Sequence, residues 1–225
     1  MPAAGTTTVF TRECGLWSEF CMNEQFTYND GVFGVGHSAK EAIRATTRRQ
    51  RATMKHSLID VTLTDYLLDW LGPTSRVAAY SPLSGEPGGV ELVAALAAKH
   101  DLWLPITPKE GDLRWGRFVG ELHQGAHFGI GEPEGPGEAS LSMLSCDAVI
   151  VPALAVDRHG VRLGQGAGYY DRALDGVKCP VVALVYDSEV YDELPREPHD
   201  QPVDAAVTQS GFMWLGTGRG GAAVQ

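Results

Sequence analysis

The segment that most constrains the fold is residues 147–174, which read DAVIVPALAVDRHGVRLGQGAGYYDRAL. Its uncharged run, residues 148–156, is typical of a parallel strand that is buried on both faces. Residues 157–161 then predict a turn, residues 164–168 alternate glycine with other residues, and residues 169–174 predict a helix. Strand, turn, glycine-rich loop and helix in this order indicate an α/β protein with an anion site at the start of the helix.

The loop glycines allow backbone conformations that other residues rarely adopt, so that the loop amides can turn toward a phosphate. Arg162 adds donors for phosphate oxygens, and Asp171 follows the last loop glycine at a distance where a carboxylate can hold Mg²⁺. The spacing G-x-G-x-G is neither a Walker A nor a Rossmann pattern. From these residues alone two alternatives stay open: an ordinary flexible loop, and an Asp171 that only stabilises the helix dipole.

Residues 151–174 resemble the signature of the 5-formyltetrahydrofolate cyclo-ligase (methenyltetrahydrofolate synthetase) family, approximately P-[GA]-L-A-[FV]-D-x-x-G-x-R-L-G-x-G-x-G-Y-Y-D-R. The matching residues are Pro152, Ala153, Leu154, Ala155, Val156, Asp157, Gly160, Arg162, Leu163, Gly164, Gly166, Gly168, Tyr169, Tyr170, Asp171 and Arg172. Flanking similarity extends from about residue 40 to residue 210. Two positions depart from the pattern. Gln165 replaces an aromatic or basic residue, and Ala167 replaces a glycine or lysine, and either change can alter nucleotide affinity.

The resemblance implies an enzyme that cyclises 5-formyltetrahydrofolate to 5,10-methenyltetrahydrofolate with ATP as co-substrate and Mg²⁺ as cofactor, releasing ADP and phosphate. Two alternatives remain: a nucleotide-binding module without cyclo-ligase activity, and another ATP-dependent ligase or kinase that uses the same loop. The implied residues are Arg162 and Tyr169 for catalysis; Lys40, Arg44, Arg162, Gly164, Gln165, Gly166, Ala167, Gly168, Tyr169 and Tyr170 for ATP; Ser81, Glu86 and Phe128 for the folate; and Asp171 and Asp200 for the metal.

Several of these residues have an ordinary structural interpretation as well. Glu86 precedes Pro87 and Gly88 and can be a simple turn carboxylate, and the two tyrosines can pack in the core. His123 and His127 are four residues apart, but without a third ligand we interpret them as surface or core histidines.

A formal net charge of −10 argues against a nucleic-acid partner. Basic residues nevertheless recur three and four positions apart, which places them along one helix face: Lys40, Arg44, Arg48, Arg51 and Lys55. Such a stripe can be solvated surface or can collect phosphates. The resemblance favours phosphate contacts for Lys40 and Arg44, while Arg48, Arg49 and Lys55 are interpreted as surface.

Composition indicates an ordinary globular protein, with 44% hydrophobic residues and no apolar run long enough to cross a bilayer. The first ten residues lack the pattern of a secretory signal, so we expect a cytoplasmic protein without a membrane partner. No C-x-x-C spacing occurs among Cys14, Cys21, Cys146 and Cys179, which are expected to be reduced. The expected partners are small-molecule substrates, and the sequence leaves the oligomeric state open.

The alternation of predicted helices and strands indicates an α/β fold: a single domain with a largely parallel sheet and helices on both faces. We expect an N-terminal extension of unassigned role in residues 1–39, a cyclo-ligase-like domain in residues 40–215 and a glycine-rich tail in residues 216–225. The predicted helices are one capped by Ser38 that runs to Met54, then residues 58–71 and 89–100; the predicted strands are residues 76–80, 102–106, 180–186 and 205–207; and residues 107–140 are expected to be irregular.

Overall fold

Short segments rich in Val, Ala, Leu and Ile form the inner strands of a seven-stranded central sheet. The computed structural model describes residues 35–73, 76–125, 129–141 and 144–216, and these all belong to one unit. The helices are α1 (Val35–Thr53), α2 (Ser57–Leu71), α3 (Leu92–Ala97) and α4 (Tyr169–Ala173). The strands are β1 (Arg76–Ala78), β2 (Asp101–Ile106), β3 (Arg114–Arg117), β4 (His123–Gln124), β5 (Gly131–Glu132), β6 (Ala148–Pro152), β7 (Ala155–Asp157), β8 (Arg162–Leu163), β9 (Val181–Leu184), β10 (Val190–Tyr191), β11 (Ala205–Thr208) and β12 (Gly211–Trp214).

The strand order of the central sheet is β12-β11-β9-β6-β1-β2-β3. The five inner strands pair in parallel, and only the edge strands β12 and β3 are antiparallel to their neighbours. Val77 of β1 pairs with Ala148 of β6 and with Leu102 of β2, so β1 and β6 lie near the middle of the sheet. This order is the mostly parallel sheet that the sequence predicted.

Helices cover both faces of this sheet, as predicted. On one face α2 and α3 pack their apolar side chains, including Leu63, Leu67 and Leu92, against alternate strand residues such as Val77 and Ile150. The opposite face packs against the segment that follows the glycine-rich loop, including Leu174 and Val177, and buries Trp115 of β3 completely. All four residues of β9 and of β11 are buried, which explains their uninterrupted apolar sequences.

The prediction of one long strand over residues 148–156 was wrong. The chain leaves the central sheet at Pro152, and β7 joins a separate three-stranded sheet of order β10-β7-β8. At the break, the carbonyl of Ala153 accepts a hydrogen bond from Arg51, and the amide of Leu154 donates to the carbonyl of Leu163. Both strands are buried, so the apolar run gives no sign of where one ends and the next begins.

Other element predictions need smaller corrections. Helix α1 starts at Val35, so Ser38 lies inside the helix and does not cap it. The predicted helix over residues 89–100 is regular only over α3, and the first predicted strand stops at Ala78. Residues 107–140, expected to be irregular, contain β3, β4 and β5.

Within the described residues, no helix is both long enough and apolar enough to span a membrane. Phe128 and His127 lie outside the described residues, as do Cys14 and Cys21. Residues 1–34 of the predicted extension and residues 217–225 of the predicted tail also lie outside the described residues.

Candidate functional site

A tight hairpin between β7 and β8 presents the glycine-rich loop. The buried carboxylate of Asp157 accepts hydrogen bonds from the backbone amides of His159, Val161 and Leu194, each at 2.9 Å. Gly160 has φ +88°, and a Cβ there would lie 2.5 Å from the carbonyl oxygen of Val203. The aspartate and the glycine of the motif therefore fix the turn that carries β8 into the loop.

The loop, residues 164–168, needs glycine at two positions for conformational reasons. Gly166 has φ +105° and Gly168, which precedes α4, has φ +69°. Arg44 of α1 donates from Nε to the carbonyl of Gly164 at 2.9 Å, which holds the loop against the helix. Since α4 has only five residues, its dipole adds little, and the predicted anion site would depend mainly on the loop amides.

One cavity of about 820 Å³ contains nearly all the predicted site residues. The residues along its wall that the sequence predicted are Lys40, Arg44, Ser81, Glu86, Arg162, Gly164, Gln165, Gly166, Ala167, Gly168, Tyr169, Tyr170, Asp171 and Asp200. Phe128 is the one predicted contact that falls outside the described residues. Elements from three parts of the chain, α1, the turn after β1 and the loop after β8, thus meet around one space large enough for substrate-sized ligands.

Lys40 is 4% exposed and pairs with two carboxylates. Its Nζ lies 2.7 Å from Asp200 and 2.8 Å from Glu197. Burial alone would lower the pKa of Lys40, but hydrogen bonds to Asp200 and Glu197 raise it overall. The ammonium is therefore fixed in its charged form beside the cavity.

Arg162 and Asp171 form a second ion pair in the wall of the cavity. Nη2 of Arg162 lies 3.0 Å from Oδ1 of Asp171, and Nη1 donates to the carbonyl of Pro152 at 3.3 Å. Oδ1 of Asp171 also accepts a hydrogen bond from the backbone amide of Gln201 at 3.2 Å. Because Gln201 directly follows Asp200 in the sequence, this bond brings Asp171 close to Asp200. Nε of Arg162 is buried without a hydrogen-bond partner among the described residues. This unsatisfied donor is the kind of group that a phosphate oxygen can satisfy.

The two carboxylates predicted as metal ligands suit a hard cation such as Mg²⁺. Among the described residues, no hydrogen bond engages Oδ2 of Asp171, and the contact found for Oδ1 of Asp200 is with Nε2 of His199 at 3.8 Å. Each side chain thus keeps one oxygen available in the wall of the same cavity. Glu197 and His199 lie beside Asp200, and the three can place ligand atoms within 4.8 Å of one another. Among these neighbours Glu197 offers the oxygen ligand that magnesium prefers.

Glu86 also lines the cavity, in the turn after β1. It is 8% exposed, and its Oε2 accepts the amide of Leu83 at 3.0 Å. Burial raises the pKa of Tyr80 well above its usual value, and the carboxylate of Glu86 raises it further; the same two causes raise the pKa of Tyr170. Glu86 is therefore a buried carboxylate beside two phenols that stay neutral, a suitable partner for ring N–H groups of a ligand.

The sequence interpretation missed the role of Arg48 and Arg51. Arg48 is exposed, as expected, but its guanidinium donates to the side chain of Gln165 and lines the cavity. Arg51 is buried and forms a two-pronged ion pair with Glu189, 2.7 Å at each oxygen, which anchors α1. The signal was present in the four-residue spacing of Lys40, Arg44 and Arg48, which continues the stripe beyond the two residues assigned to phosphate.

Comparison with known proteins identifies the family to which the chain belongs. The sequence model of the 5-formyltetrahydrofolate cyclo-ligase family matches residues 37–209. The 5-formyltetrahydrofolate cyclo-ligase of Mycolicibacterium smegmatis is 38% identical over 140 residues, which cover 59% of this chain and 72% of that protein. The protein of the same name from Escherichia coli is 37% identical over 84 residues, which cover 36% of this chain and 46% of that protein.

Solved structures show the same fold. The 5,10-methenyltetrahydrofolate synthetase of Aquifex aeolicus superposes with a TM-score of 0.69 at 30% identity, covering 83% of this chain and 96% of that one. The Mycoplasma pneumoniae synthetase matches in fold with a TM-score of 0.58 at 20% identity. The motif, the cavity and the family match over most of the sequence lead to one conclusion: the chain belongs to the 5-formyltetrahydrofolate cyclo-ligase family.

Proposed function

We propose that this protein catalyses the ATP-dependent cyclisation of 5-formyltetrahydrofolate to 5,10-methenyltetrahydrofolate, with release of ADP and phosphate. The single observation that supports this most strongly is the shared cavity, which joins a glycine-rich phosphate loop to the buried carboxylate Glu86. A phosphate site and a site for a nitrogen-rich ring in one space are what a reaction between ATP and a folate needs. The family membership supports the same substrates.

The proposed reaction proceeds in two stages. The oxygen of the formyl group attacks the γ-phosphorus of ATP, the bond to the bridging oxygen breaks, and ADP leaves. The nitrogen at position 10 then attacks the activated formyl carbon and loses its proton. The carbon–oxygen bond breaks, phosphate leaves with the former formyl oxygen, and the five-membered ring is closed. No protein nucleophile is required, so catalysis depends on alignment and charge stabilisation.

The ATP phosphates are assigned to the loop amides and to the basic side chains around them. Arg162 lines the cavity, and its Nε has no hydrogen-bond partner among the described residues, which supports assigning the transferring phosphoryl group to this guanidinium. Tyr169 and Tyr170 follow the loop directly and complete this side of the cavity. The other ATP contacts are proposed for Lys40, Arg44, Gly164, Gln165, Gly166, Ala167 and Gly168.

Asp171 and Asp200 would hold Mg²⁺, which when bound neutralises phosphate charge. Lys40 holds Asp200 in place through the 2.7 Å ion pair, and Arg162 does the same for Asp171 at 3.0 Å. On the folate side, Glu86 would accept hydrogen bonds from ring nitrogens and Ser81 would add a hydroxyl, with Phe128 as a further proposed contact. We place the reaction in the cytoplasm and the catalytic domain at residues 40–215.

The test is the growth of 5,10-methenyltetrahydrofolate absorbance when the purified protein is mixed with 5-formyltetrahydrofolate, ATP and Mg²⁺. We expect product only when all three are present, with one ADP formed per product molecule. Undiminished absorbance growth without ATP would rule the proposal out. ATP binding without any product would instead indicate a nucleotide-binding module, and ATP consumption with a different acceptor would indicate another ligase or kinase.

A further inference from the structure

Three side chains that line the candidate site are joined by hydrogen bonds into a bridge. Arg48 of α1 donates from Nε and Nη2 to Oε1 of Gln165 at 3.2 and 3.0 Å. Gln165 in turn donates from Nε2 to Oε1 of Glu86 at 3.4 Å. The bridge Arg48–Gln165–Glu86 therefore links the middle of the glycine-rich loop to the carboxylate on the folate side.

The chemistry of the bridge fixes the direction of each hydrogen bond. A guanidinium only donates and an ionised carboxylate only accepts, so a carboxamide between them must turn its oxygen to Arg48 and its NH₂ to Glu86. Neither a methionine nor a glutamate can satisfy both partners at this position. The side-chain oxygen of Gln165 therefore contacts Arg48, and its NH₂ group contacts Glu86.

Glu86 depends on this bridge for the position of one of its oxygens. Oε2 is fixed by the amide of Leu83, whereas Oε1 has the amide of Gln165 as its hydrogen-bond partner among the described residues. The same three bridge residues also line a second cavity of about 470 Å³. The bridge therefore borders both spaces, and Oε1 of Glu86 is held where the two meet.

We propose that the bridge couples the two substrates energetically, so that ATP bound on the loop strengthens the binding of 5-formyltetrahydrofolate at Glu86. Phosphate bound to the loop amides holds the backbone of Gln165, and Gln165 then holds Oε1 of Glu86. The folate then binds to a Glu86 side chain that is already in position, so its binding free energy is not reduced by the cost of ordering that side chain. This inference rests on the proposed function and makes Gln165 and Arg48 positioning residues for it.

The coupling is measured by calorimetry with a non-hydrolysable ATP analogue and 5-formyltetrahydrofolate. The dissociation constant of each ligand is measured in the absence of the other ligand and again with the other ligand at saturation. The coupling factor is the first value divided by the second. We expect a factor of about five or more in the wild-type protein, equal in both directions because linkage is reciprocal. Gln165→Met, which keeps the length of the side chain but removes both polar contacts, should bring the factor close to one.

Arg48→Ala should lower the coupling factor as well. The double variant, Arg48→Ala with Gln165→Met, should have a coupling factor no lower than that of either single variant, because each of the three variants breaks the same bridge. Arg49→Ala is the matched control. Arg49 is the next residue on α1, is exposed, and bonds only to Thr46 of its own helix at 3.3 Å among the described residues, so the same loss of charge should leave the factor unchanged.

Gln165→Glu separates the two halves of the bridge. It keeps the contact with Arg48 but places a carboxylate against Glu86, so we expect weaker folate binding and a factor below that of the wild type. A coupling factor of one in the wild-type protein, or an unchanged coupling factor in Gln165→Met, overturns the inference. If the wild-type protein still forms product in that case, the proposed function stands. A wild-type protein that binds no folate overturns both. Thermal midpoints alone do not test the inference. If the bridge had a purely structural role, the variants would change the thermal midpoint and leave the coupling factor unchanged.

Discussion

At the scale of single residues, the site is built from charges that hold one another in place. Lys40 fixes Asp200 and Arg162 fixes Asp171, so each carboxylate proposed for the metal already has a cation beside it. The family resemblance identified these four residues as site residues, but the sequence contains no indication that they pair. Which basic residue meets which acid depends on folding that brings positions 40 and 200 together, and no local pattern encodes that.

Asp171→Asn should lower turnover about 100-fold or more, a loss of roughly 3 kcal/mol of transition-state stabilisation, and should raise the Mg²⁺ concentration needed for half-maximal rate. It should also lower the thermal midpoint, because Arg162 would lose its charged partner in a buried position. Steady-state rates over a Mg²⁺ titration provide the measurement. Asp175→Asn, an exposed residue just after α4, is the control for loss of charge. A lower midpoint with wild-type rates and Mg²⁺ dependence would make Asp171 purely structural.

Lys40 provides a prediction about pH. Its pKa in the folded protein is raised above the ordinary 10.5, so the charged form favours the fold. That contribution is complete below pH 10.5 and is lost as the pH rises through the folded pKa. The stability difference between the wild type and Lys40→Met should therefore stay constant from neutral pH up to about pH 10 and shrink above it. Denaturant unfolding at a series of pH values tests this, and a difference that shrinks toward neutral pH would contradict the assignment.

At the scale of elements, the hairpin and the loop were the most predictable parts. Asp157, Gly160 and the loop glycines each do locally what the motif suggests, because turns depend on neighbouring residues. The split of the apolar run into β6 and β7 was not predictable, since both strands are buried and periodicity cannot separate them. Strand β3 was missed because it lies within a segment rich in glycine and proline, and Trp115 gains its burial from distant contacts.

Gly166→Ala tests the loop as an element. Alanine rarely adopts φ +105°, so the loop must shift its backbone, and the new Cβ would lie in contact with the guanidinium carbon of Arg44, at 3.4 Å. We expect ATP affinity to fall about tenfold or more, equivalent to about 1.4 kcal/mol. Gly176→Ala is the matched control, since φ is +72° and nothing lies within 4 Å of its Cβ. Calorimetry should find normal ATP affinity in that variant; equal losses in both would mean that backbone strain alone, and not the loop geometry, matters.

At the scale of the whole molecule, the parallel sheet brings together residues that are far apart in sequence. Helix α1, the turn after β1 and the loop after β8 meet at one cavity. The alternation of strands and helices was enough to predict this class of fold, and the family resemblance was enough to predict about half of the residues that line the cavity. The bridge from Arg48 to Gln165 was beyond prediction, because it joins residues 117 positions apart.

A chain of residues 35–216 should fold and keep the activity. It contains every described strand of the central sheet and all the proposed site residues. We expect turnover within about twofold of the full chain, and a thermal midpoint within about 4 °C, the shift that corresponds to roughly 1 kcal/mol. A truncated chain that folds but has lost turnover would show that the catalytic domain extends beyond these residues.

In the proposed reaction, ATP phosphorylates the formyl oxygen before the ring closes. This order is tested by supplying 5-formyltetrahydrofolate labelled with ¹⁸O in the formyl group and analysing the released phosphate by mass spectrometry. We expect one ¹⁸O atom in each phosphate formed, because the carbon–oxygen bond breaks and the phosphorus–oxygen bond remains. Product formation with unlabelled phosphate and the ¹⁸O in water would contradict it.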